Sequence, residues 1–198
     1  GGGGGLSRGW KPHSAQAADA VEPKFLSGVV HQMHNDYSLD AGLERARTLL
    51  EPFAAPDRLR RALRARVAIV NAWLPTRPVE KDPLALCRFD SITPRDVAVT
   101  RFHYKTRVGE VYRARSADEQ QWVYFSAMKP PECLLFKTFD SAGGAAAGGD
   151  VARFALHGAF ELPAAAPDAP ARESIELRCL VLFDEDAARD DLLLRPAV

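Results

Sequence analysis

The chain has 198 residues, and its 26 basic and 26 acidic side chains give a formal net charge of zero and a pI near 7.1. Because this balance creates no broad field for polyanions, it argues against binding to nucleic acid or to an anionic membrane and favours a small-molecule ligand. Hydrophobic residues make up 46% of the chain, which suffices for one substantial core, and no apolar run approaches the roughly 20 residues that span a bilayer. We therefore expect a soluble cytoplasmic protein.

Composition divides the chain into two parts. Residues 1–24 are rich in Gly, Ala, Ser and Pro with little apolar periodicity, which predicts a poorly ordered lead-in. Residues 25–198 are expected to form a single domain. The chain starts with glycine rather than methionine, so a domain truncated at its N-terminus stays open as an alternative.

Two helices are predicted after a first strand signal at residues 25–37. Ser38 can cap a helix over residues 39–51, which ends before Pro52. The apolar stripe of this helix consists of Leu43, Ala46, Leu49 and Leu50. A second helix over residues 57–66 alternates arginine with apolar positions, which is typical of a helix whose charged face is solvated.

The remainder of the chain is rich in short β segments separated by turn residues. Strands are predicted at residues 67–73, 97–104, 110–115, 122–126, 134–139, 153–160 and 174–183. A Gly- and Ala-rich loop at 141–150 precedes the strand that carries His157. This spacing favours a β barrel or sandwich over an alternating βαβ sheet.

The three cysteines are widely spaced and odd in number, and each lies in an apolar stretch. Cys87, Cys133 and Cys179 therefore offer neither a disulfide framework nor a Cys-x-x-Cys zinc site. We expect them to be small core residues in a reducing compartment.

His34, Asp36 and His157 are the candidate metal ligands. Alternate side chains of a strand point to one face, so His34 and Asp36 can bind the same ion, and His157 can join them from a distant strand. Two imidazoles and one carboxylate can hold Fe(II) on one face and leave positions open for a co-substrate and O₂. The alternatives are that His34 is a turn residue, that Asp36 helps to cap the following helix, and that His157 is satisfied by the backbone.

Candidate anion-binding residues follow His157 after a proline-rich turn. Arg172, Ser174, Glu176 and Arg178 are expected to share one face of a strand. Arg172 and Ser174 can bind the far carboxylate of a 2-oxo acid. Arg178 is the competing anchor, because about 20 Å separates the two arginines along a strand and both cannot reach the same carboxylate. An edge strand with a solvated Arg–Glu ladder is the alternative. The leading interpretation is a non-haem iron oxygenase.

An ordered series of motifs extends over most of the chain. It comprises His34-Asn-Asp36, Val70-Asn-Ala-Trp73-Leu-Pro75, Asp82-Pro-Leu-Ala-Leu-Cys87, Arg107-Val-Gly-Glu110-Val-Tyr112, Trp122-Val-Tyr124-Phe125, Leu135-Phe-Lys137-Thr-Phe-Asp140-Ser141, His157-Gly-Ala-Phe160 and Arg172-Glu-Ser-Ile-Glu-Leu-Arg178. In this series the chain resembles the hydroxylase/desaturase family of fungal and bacterial secondary metabolism, of the aspergillic-acid hydroxylase, gibberellin desaturase and CmcJ type.

The resemblance implies a mainly β domain with flanking helices, built as a double-stranded β-helix (jelly-roll, cupin-like) barrel. It implies binding of Fe(II) and 2-oxoglutarate, with His34, Asp36 and His157 as metal ligands and Arg172 as the 2-oxoglutarate anchor. The implied reaction uses O₂ to hydroxylate or desaturate a small secondary metabolite. The chain departs from the family pattern at Leu74, where family members carry arginine, and in a shorter segment before His34.

Four further motif residues are candidates for a substrate pocket: Asn71, Trp73, Tyr124 and Lys137. Trp73 can equally be a core residue, Tyr124 can belong to a packed aromatic cluster with Trp122, and Lys137 can be an edge-strand charge. Two other functions stay open at this point. One is a catalytically silent barrel that binds a small metabolite or assists a partner enzyme, and the other is a metal hydrolase that uses the same three ligands.

Overall fold

The protein is represented by a computed structural model, which describes residues 28–103, 108–143 and 151–183. The predicted lead-in at residues 1–24 lies outside these ranges. The two helices described are α1 (Leu39–Leu50) and α2 (Pro56–Arg64), and neither is long and apolar enough to cross a membrane. The strands described are β1 (His34–Asn35), β2 (Val67–Pro75), β3 (Leu84–Cys87), β4 (Val97–His103), β5 (Val108–Ala114), β6 (Trp122–Tyr124), β7 (Leu134–Asp140), β8 (His157–Ala159) and β9 (Ser174–Leu182).

The strands form two antiparallel sheets. The larger sheet has the order β4-β5-β1-β8-β3-β6, and the smaller has the order β7-β2-β9. The two sheets face each other, because Asn35 of β1 contacts Thr138 of β7 and the ring of His157 on β8 contacts that of Phe136 on β7. The short strands β1 and β8 lie in the middle of the larger sheet, so both are paired on both edges.

Strand β2 forms the centre of the smaller sheet, and its residues alternate between two faces. Ile69, Asn71 and Trp73 are buried on one face, where Ile69 packs against Ala46 of α1 and Trp73 against Leu84 of β3, whereas the side chains between them are half-buried on the outer face. The register places Asn71 opposite Phe136 on one side and Arg178 on the other. These three residues form a cross-strand row, and we refer to them below as the central row.

Helix α1 covers one end of the smaller sheet. Ser38 is its N-cap and accepts a hydrogen bond from the backbone N–H of Ala41 at 3.2 Å, as predicted. Gly42 packs directly on the ring of Phe139, which is 2% exposed. The predicted apolar stripe is half right: Ala46 and Leu50 are buried, but Leu43 and Leu49 are 43% and 37% exposed because the helix contacts the sheet along a narrower line.

Several predicted strand bounds are corrected by the structure. Of the first strand signal at residues 25–37, only β1 pairs within the described part of the chain. Strand β3, which lies within the motif Asp82-Pro-Leu-Ala-Leu-Cys87, was not predicted from the sequence. The predicted strand at 153–160 is reduced to β8, because residues 155 and 156 bond to different sheets: Ala155 donates to the Lys137 carbonyl of β7, whereas the Leu156 carbonyl accepts from Cys87 of β3.

The expectation of three core cysteines is wrong for two of them. Cys87 is buried beside Ile92 and Leu156, whereas Cys133 and Cys179 are exposed. Cys179 alternates with Arg178 on β9, so its side chain lies on the outer face of the smaller sheet. Apolar sequence neighbours therefore do not imply burial on this strand, where Ile175 and Leu177 are also exposed.

Replacing Gly42 with alanine should destabilise the fold. A Cβ atom at this position overlaps the buried ring of Phe139, and overpacking of this kind costs about 1–3 kcal/mol, against a gain of about 1 kcal/mol in helix propensity. We expect a lower midpoint in urea for Gly42→Ala. Phe139→Leu should be less harmful in the Gly42→Ala background than in the parent chain, and strictly additive effects of the two changes would refute this contact.

Candidate metal centre

His34 and His157 are directly opposite each other across the β1–β8 pair. Their ring centroids are 4.5 Å apart, and the residues are 8% and 4% exposed. Nδ1 of His34 lies 2.7 Å from the Gln32 carbonyl, and Nδ1 of His157 lies 2.9 Å from the Ala155 carbonyl. A carbonyl accepts only from a protonated nitrogen, so each Nδ1 donates and each neutral ring keeps the lone pair on Nε2 for a ligand. The backbone partner that the alternative interpretation of His157 required is present, and His34 is buried rather than a solvent-facing turn residue. In both rings the carbonyl contact leaves Nε2 to a metal.

Asp36 completes the group from the residue that follows β1. Its Oδ1 lies 3.7 Å from Nε2 of His34, and its side chain is 8% exposed. Asn71 donates from Nδ2 to Oδ2 at 2.9 Å, and Arg178 donates to Oδ1 at 3.1 Å. The chain leaves the strand at Asn35, yet His34 and Asp36 still direct their polar atoms to one place, as the His-x-Asp spacing predicts.

The ligand atoms of these three residues fit one metal ion. One ligand atom from each lies within 4.8 Å of the others. Two ligands bound to the same ion at about 2.1 Å are roughly 3–4 Å apart, so small side-chain rotations close the set. Two imidazoles and a carboxylate suit a divalent transition metal such as iron, and the remaining positions of such an ion stay open.

The electrostatics of His34 and Asp36 keep these two groups in the states that bind metal. Burial, followed by the neighbouring His157, lowers the pKa of His34 from 6.5 to about 4, so its ring is neutral near pH 7. Burial by itself raises the pKa of Asp36, but Arg178, the two histidines and the Asn71 hydrogen bond outweigh it and hold that pKa below its usual range. Asp36 is therefore an anion at any pH near neutrality.

Arg172 lies just before β9 and not on it, so it is outside the strand face that it was predicted to share with Ser174. Its NH1 donates to the Asp82 carbonyl at 2.8 Å, and its guanidinium stacks over the Trp73 ring at 5.3 Å. Its Nε is buried and has no hydrogen-bond partner in the described part of the chain. Burial lowers the pKa of Arg172. A half-buried cation with a spare donor is suited to an anionic ligand.

Arg178 has quite different surroundings. Besides Asp36, it contacts the Tyr37 hydroxyl at 3.5 Å and Glu176 at 3.4 Å, so protein groups already occupy its donors. Although burial lowers the pKa of Arg178, Asp36 and Tyr37 more than compensate, and the net shift is upward. Ser174 begins β9 opposite Pro75 and is exposed. Its predicted pairing with Arg172 stays a prediction.

The four predicted pocket residues are not brought together. Asn71 contacts Asp36, and Trp73 is 3% exposed in a core cluster beneath Arg172. Tyr124 lies on β6, two strands from β8, and packs edge-on against Phe160. Lys137 pairs at 2.8 Å with Asp140, which also binds Arg66, so its described contact is away from the candidate ligands.

Leu74, the departure from the family motif, does not face this centre. It alternates with Asn71 and Trp73 on β2, and its partner across the sheet is Ile175 of β9. The departure from the family pattern at Leu74 therefore lies on the outer face of the smaller sheet, away from the three candidate ligands.

Sequence reasoning missed two residues that shape the centre. Asn35 is fully buried, and its Nδ2 donates to the carbonyls of Tyr37 at 2.7 Å and Thr138 at 2.9 Å, which ties the His-Asn-Asp turn to β7. Phe136 packs its ring 4.8 Å from that of His157. The sequence marks Asn35 only by its position between His34 and Asp36, and no local sequence pattern marks Phe136.

Comparisons with known proteins assign the chain to a family. Residues 12–182 match the model of the family described as oxidoreductase/YMDC permease-like domain. The chain belongs to this family. The resemblance inferred from the motifs is also confirmed, because relatives that bear the name hydroxylase/desaturase match the chain.

Three similar proteins place the chain within the family. Hydroxylase/desaturase asaB of Aspergillus flavus is 38% identical over 137 residues, covering 62% of this chain and 58% of that protein. Hydroxylase/desaturase efuI of Hormonema carpetanum is 34% identical over 187 residues, covering 89% and 59%. The solved structure of the iron and alpha-ketoglutarate-dependent endoperoxidase NvfI is 26% identical with a TM-score of 0.68, covering 81% of this chain and 57% of that one.

Two facts follow from these matches. The mainly β, double-stranded β-helix architecture predicted from the resemblance is confirmed by the structural match, although the two sheets of the described residues do not close into a barrel. The chain spans 58% and 59% of the two curated relatives, which is little more than half their length.

Asn35→Asp should destabilise the protein severely. The substitution keeps the shape of the side chain but places a carboxylate against two carbonyl oxygens that now receive hydrogen bonds. We expect the free energy of unfolding to fall by about 3 kcal/mol, because the new carboxylate is buried without a hydrogen-bond donor and the two carbonyls lose theirs. Urea unfolding at pH 7 measures it, with Thr138→Val as a control that keeps the Thr138 carbonyl. An unchanged midpoint for Asn35→Asp would show that the turn does not depend on this amide.

The metal-free protein should lose stability between pH 6.5 and pH 5. The pKa of His34 is lower in the folded chain than in the unfolded chain, so the unfolded state binds the extra proton first and stability falls as the pH falls through this window. The free energy of unfolding should fall by about 1.4 kcal/mol for each pH unit, which gives a total loss of about 2 kcal/mol by pH 5. Urea unfolding should show a much smaller loss for His34→Gln, while His103→Gln, at an exposed site on β4, keeps the full dependence.

Proposed function

We propose that this chain is the catalytic part of a non-haem Fe(II)- and 2-oxoglutarate-dependent oxidoreductase that hydroxylates or desaturates a small secondary metabolite. The single observation that supports it most is the convergence of His34, Asp36 and His157, from segments more than 120 positions apart, with Nδ1 of both rings directed at a backbone carbonyl. The hydroxylase/desaturase names of the relatives and the printed cofactors of NvfI support the same reaction class.

In this proposal the three ligands hold the metal on one side. His34 and His157 supply Nε2 lone pairs because the backbone carbonyls of Gln32 and Ala155 hold their protons on Nδ1. Asp36 supplies a permanent negative charge. Fe(II) together with 2-oxoglutarate supplies the activation of O₂ and the oxidation of an unactivated carbon.

Arg172 is the proposed anchor for 2-oxoglutarate. Its buried Nε has no described partner, and its position is fixed by the Asp82 carbonyl and the Trp73 ring. Asp82 adopts a left-handed backbone conformation with φ 51°, which costs energy for a residue other than glycine and is typical of functional sites. Arg178 is the weaker candidate because Asp36 already engages it. Ser174 is retained as an auxiliary donor to the same carboxylate.

The proposal extends to the surroundings of the reaction. The substrates are a small molecule and O₂, and residues 25–198 form one domain. We place the protein in the cytoplasm, a reducing compartment, because its three cysteines are free.

An anaerobic titration tests this function. The protein is mixed with Fe(II) and 2-oxoglutarate without O₂, and the visible spectrum is followed. We expect a weak charge-transfer band that requires both components, and consumption of 2-oxoglutarate once O₂ is admitted. His157→Ala should lose the band and the consumption, because one of three ligands is gone.

Two arginine variants separate the proposed anchor from its competitor. Arg172→Leu should raise the 2-oxoglutarate concentration needed for the band by 100-fold or more, whereas Arg178→Leu should change it by less than 10-fold. Equal sensitivity of the two variants would remove Arg172 from the anchor role. No band with the parent chain, at concentrations where the metal binds, would favour the catalytically silent barrel.

A further inference from the structure

Asn71 lies at the middle of the central row and touches the carboxylate of the candidate metal centre. It is fully buried, and its Nδ2 donates to Oδ2 of Asp36 at 2.9 Å. On either side of it, Phe136 packs against the His157 ring and Arg178 donates to Oδ1 of Asp36. All three residues of the central row, which belong to the smaller sheet, therefore contact His157 or Asp36.

The two oxygens of Asp36 have different neighbours. Oδ1 accepts from Arg178 at 3.1 Å and lies 3.7 Å from Nε2 of His34, so it is on the side where an ion can be shared with the imidazole. Oδ2 accepts the amide hydrogen of Asn71. Because a carboxylate can bind a metal through one oxygen or two, the donor on Oδ2 decides between these modes.

The amide orientation of Asn71 is dictated by Asp36. The reverse orientation would set the amide oxygen against a carboxylate oxygen, which is repulsive. In the orientation observed, Oδ1 of Asn71 is buried and has no hydrogen-bond partner in the described ranges. Burial of an unsatisfied acceptor is unfavourable, so the contact with Asp36 outweighs it.

Arg178 contacts the same carboxylate but is less suited to set its geometry. Its side chain is 39% exposed and is shared among Asp36, Tyr37 and Glu176. Its positive charge also repels a dication, whereas the neutral amide of Asn71 does not. A buried, uncharged donor on the central strand is the better device for orienting a metal ligand.

We propose that Asn71 is a positioning residue, which holds Asp36 as a one-oxygen ligand and turns Oδ1 toward the histidines. This replaces its predicted role as a substrate-pocket residue, and it rests on the proposed metal centre. The same contact explains why a polar residue occupies a fully buried position in the middle of an apolar strand.

Binding of Co(II) to the metal-free protein tests the proposal without relying on activity. Asn71→Leu removes the donor at similar volume, and Asn71→Ala repeats the test so that packing alone does not decide it. Thr138→Val is the matched control, because it removes a buried hydroxyl from β7, in the same sheet, without touching Asp36. Dissociation constants and the Co(II) visible spectrum are measured for each variant, and unfolding midpoints of the metal-free proteins are compared.

We expect both Asn71 variants to bind Co(II) about 10- to 100-fold more weakly, with an altered spectrum that reports changed coordination, while Thr138→Val stays within about 2-fold of the parent. Parent-like affinity and spectrum in both Asn71 variants would overturn the positioning role alone. An equal loss in Thr138→Val with unchanged spectra would also overturn it, since the effect would then be general. If the parent chain itself fails to bind Co(II), the proposed metal centre fails and the positioning role fails with it.

Discussion

The buried carboxylate of Asp36 is the constraint around which the centre is built. An isolated carboxylate removed from water costs many kcal/mol unless donors surround it. Here the donors come from the opposite sheet, one from Asn71 and one from Arg178. The packing of the two sheets is thus coupled to the ionisation of a single side chain, and a change in the register of β2 by one residue would turn the Asn71 donor away from it.

The two candidate histidine ligands lie on unusually short strands. β1 has two residues and β8 has three, yet each is flanked on both edges, by β5 and β8 in one case and by β1 and β3 in the other. Hydrogen bonding to neighbouring strands on both edges holds β1 and β8 in place, although each is too short to be rigid by itself. Asn35 adds a tie between the sheets at the same point, so the turn that carries His34 and Asp36 is held from its own sheet and from the one facing it.

The two arginines near the centre have the same side chain, but their surroundings shift their pKa values in opposite directions. Arg178 compensates an internal charge, and its pKa rises, whereas Arg172 is buried against an indole ring and a carbonyl and its pKa falls. The first is part of the protein's own charge balance. The guanidinium of the second donates to a carbonyl, and its Nε has no hydrogen-bond partner among the described residues, which suits an anionic co-substrate.

Local sequence patterns were enough to identify the helices, most strands, the family and the identity of the candidate ligands. Ser38 and Pro52 bound α1 through capping and the missing N–H of proline, and the His-x-Asp spacing survives even though β1 ends at Asn35. By contrast, the roles of Asn71 and Arg178, the exposure of Cys133 and Cys179, and the outward position of Leu74 emerge from tertiary structure. These depend on which residues meet across sheets, as with Asp36 and Arg178, which are 142 positions apart, and such register is set by the packing of whole sheets rather than by any local preference.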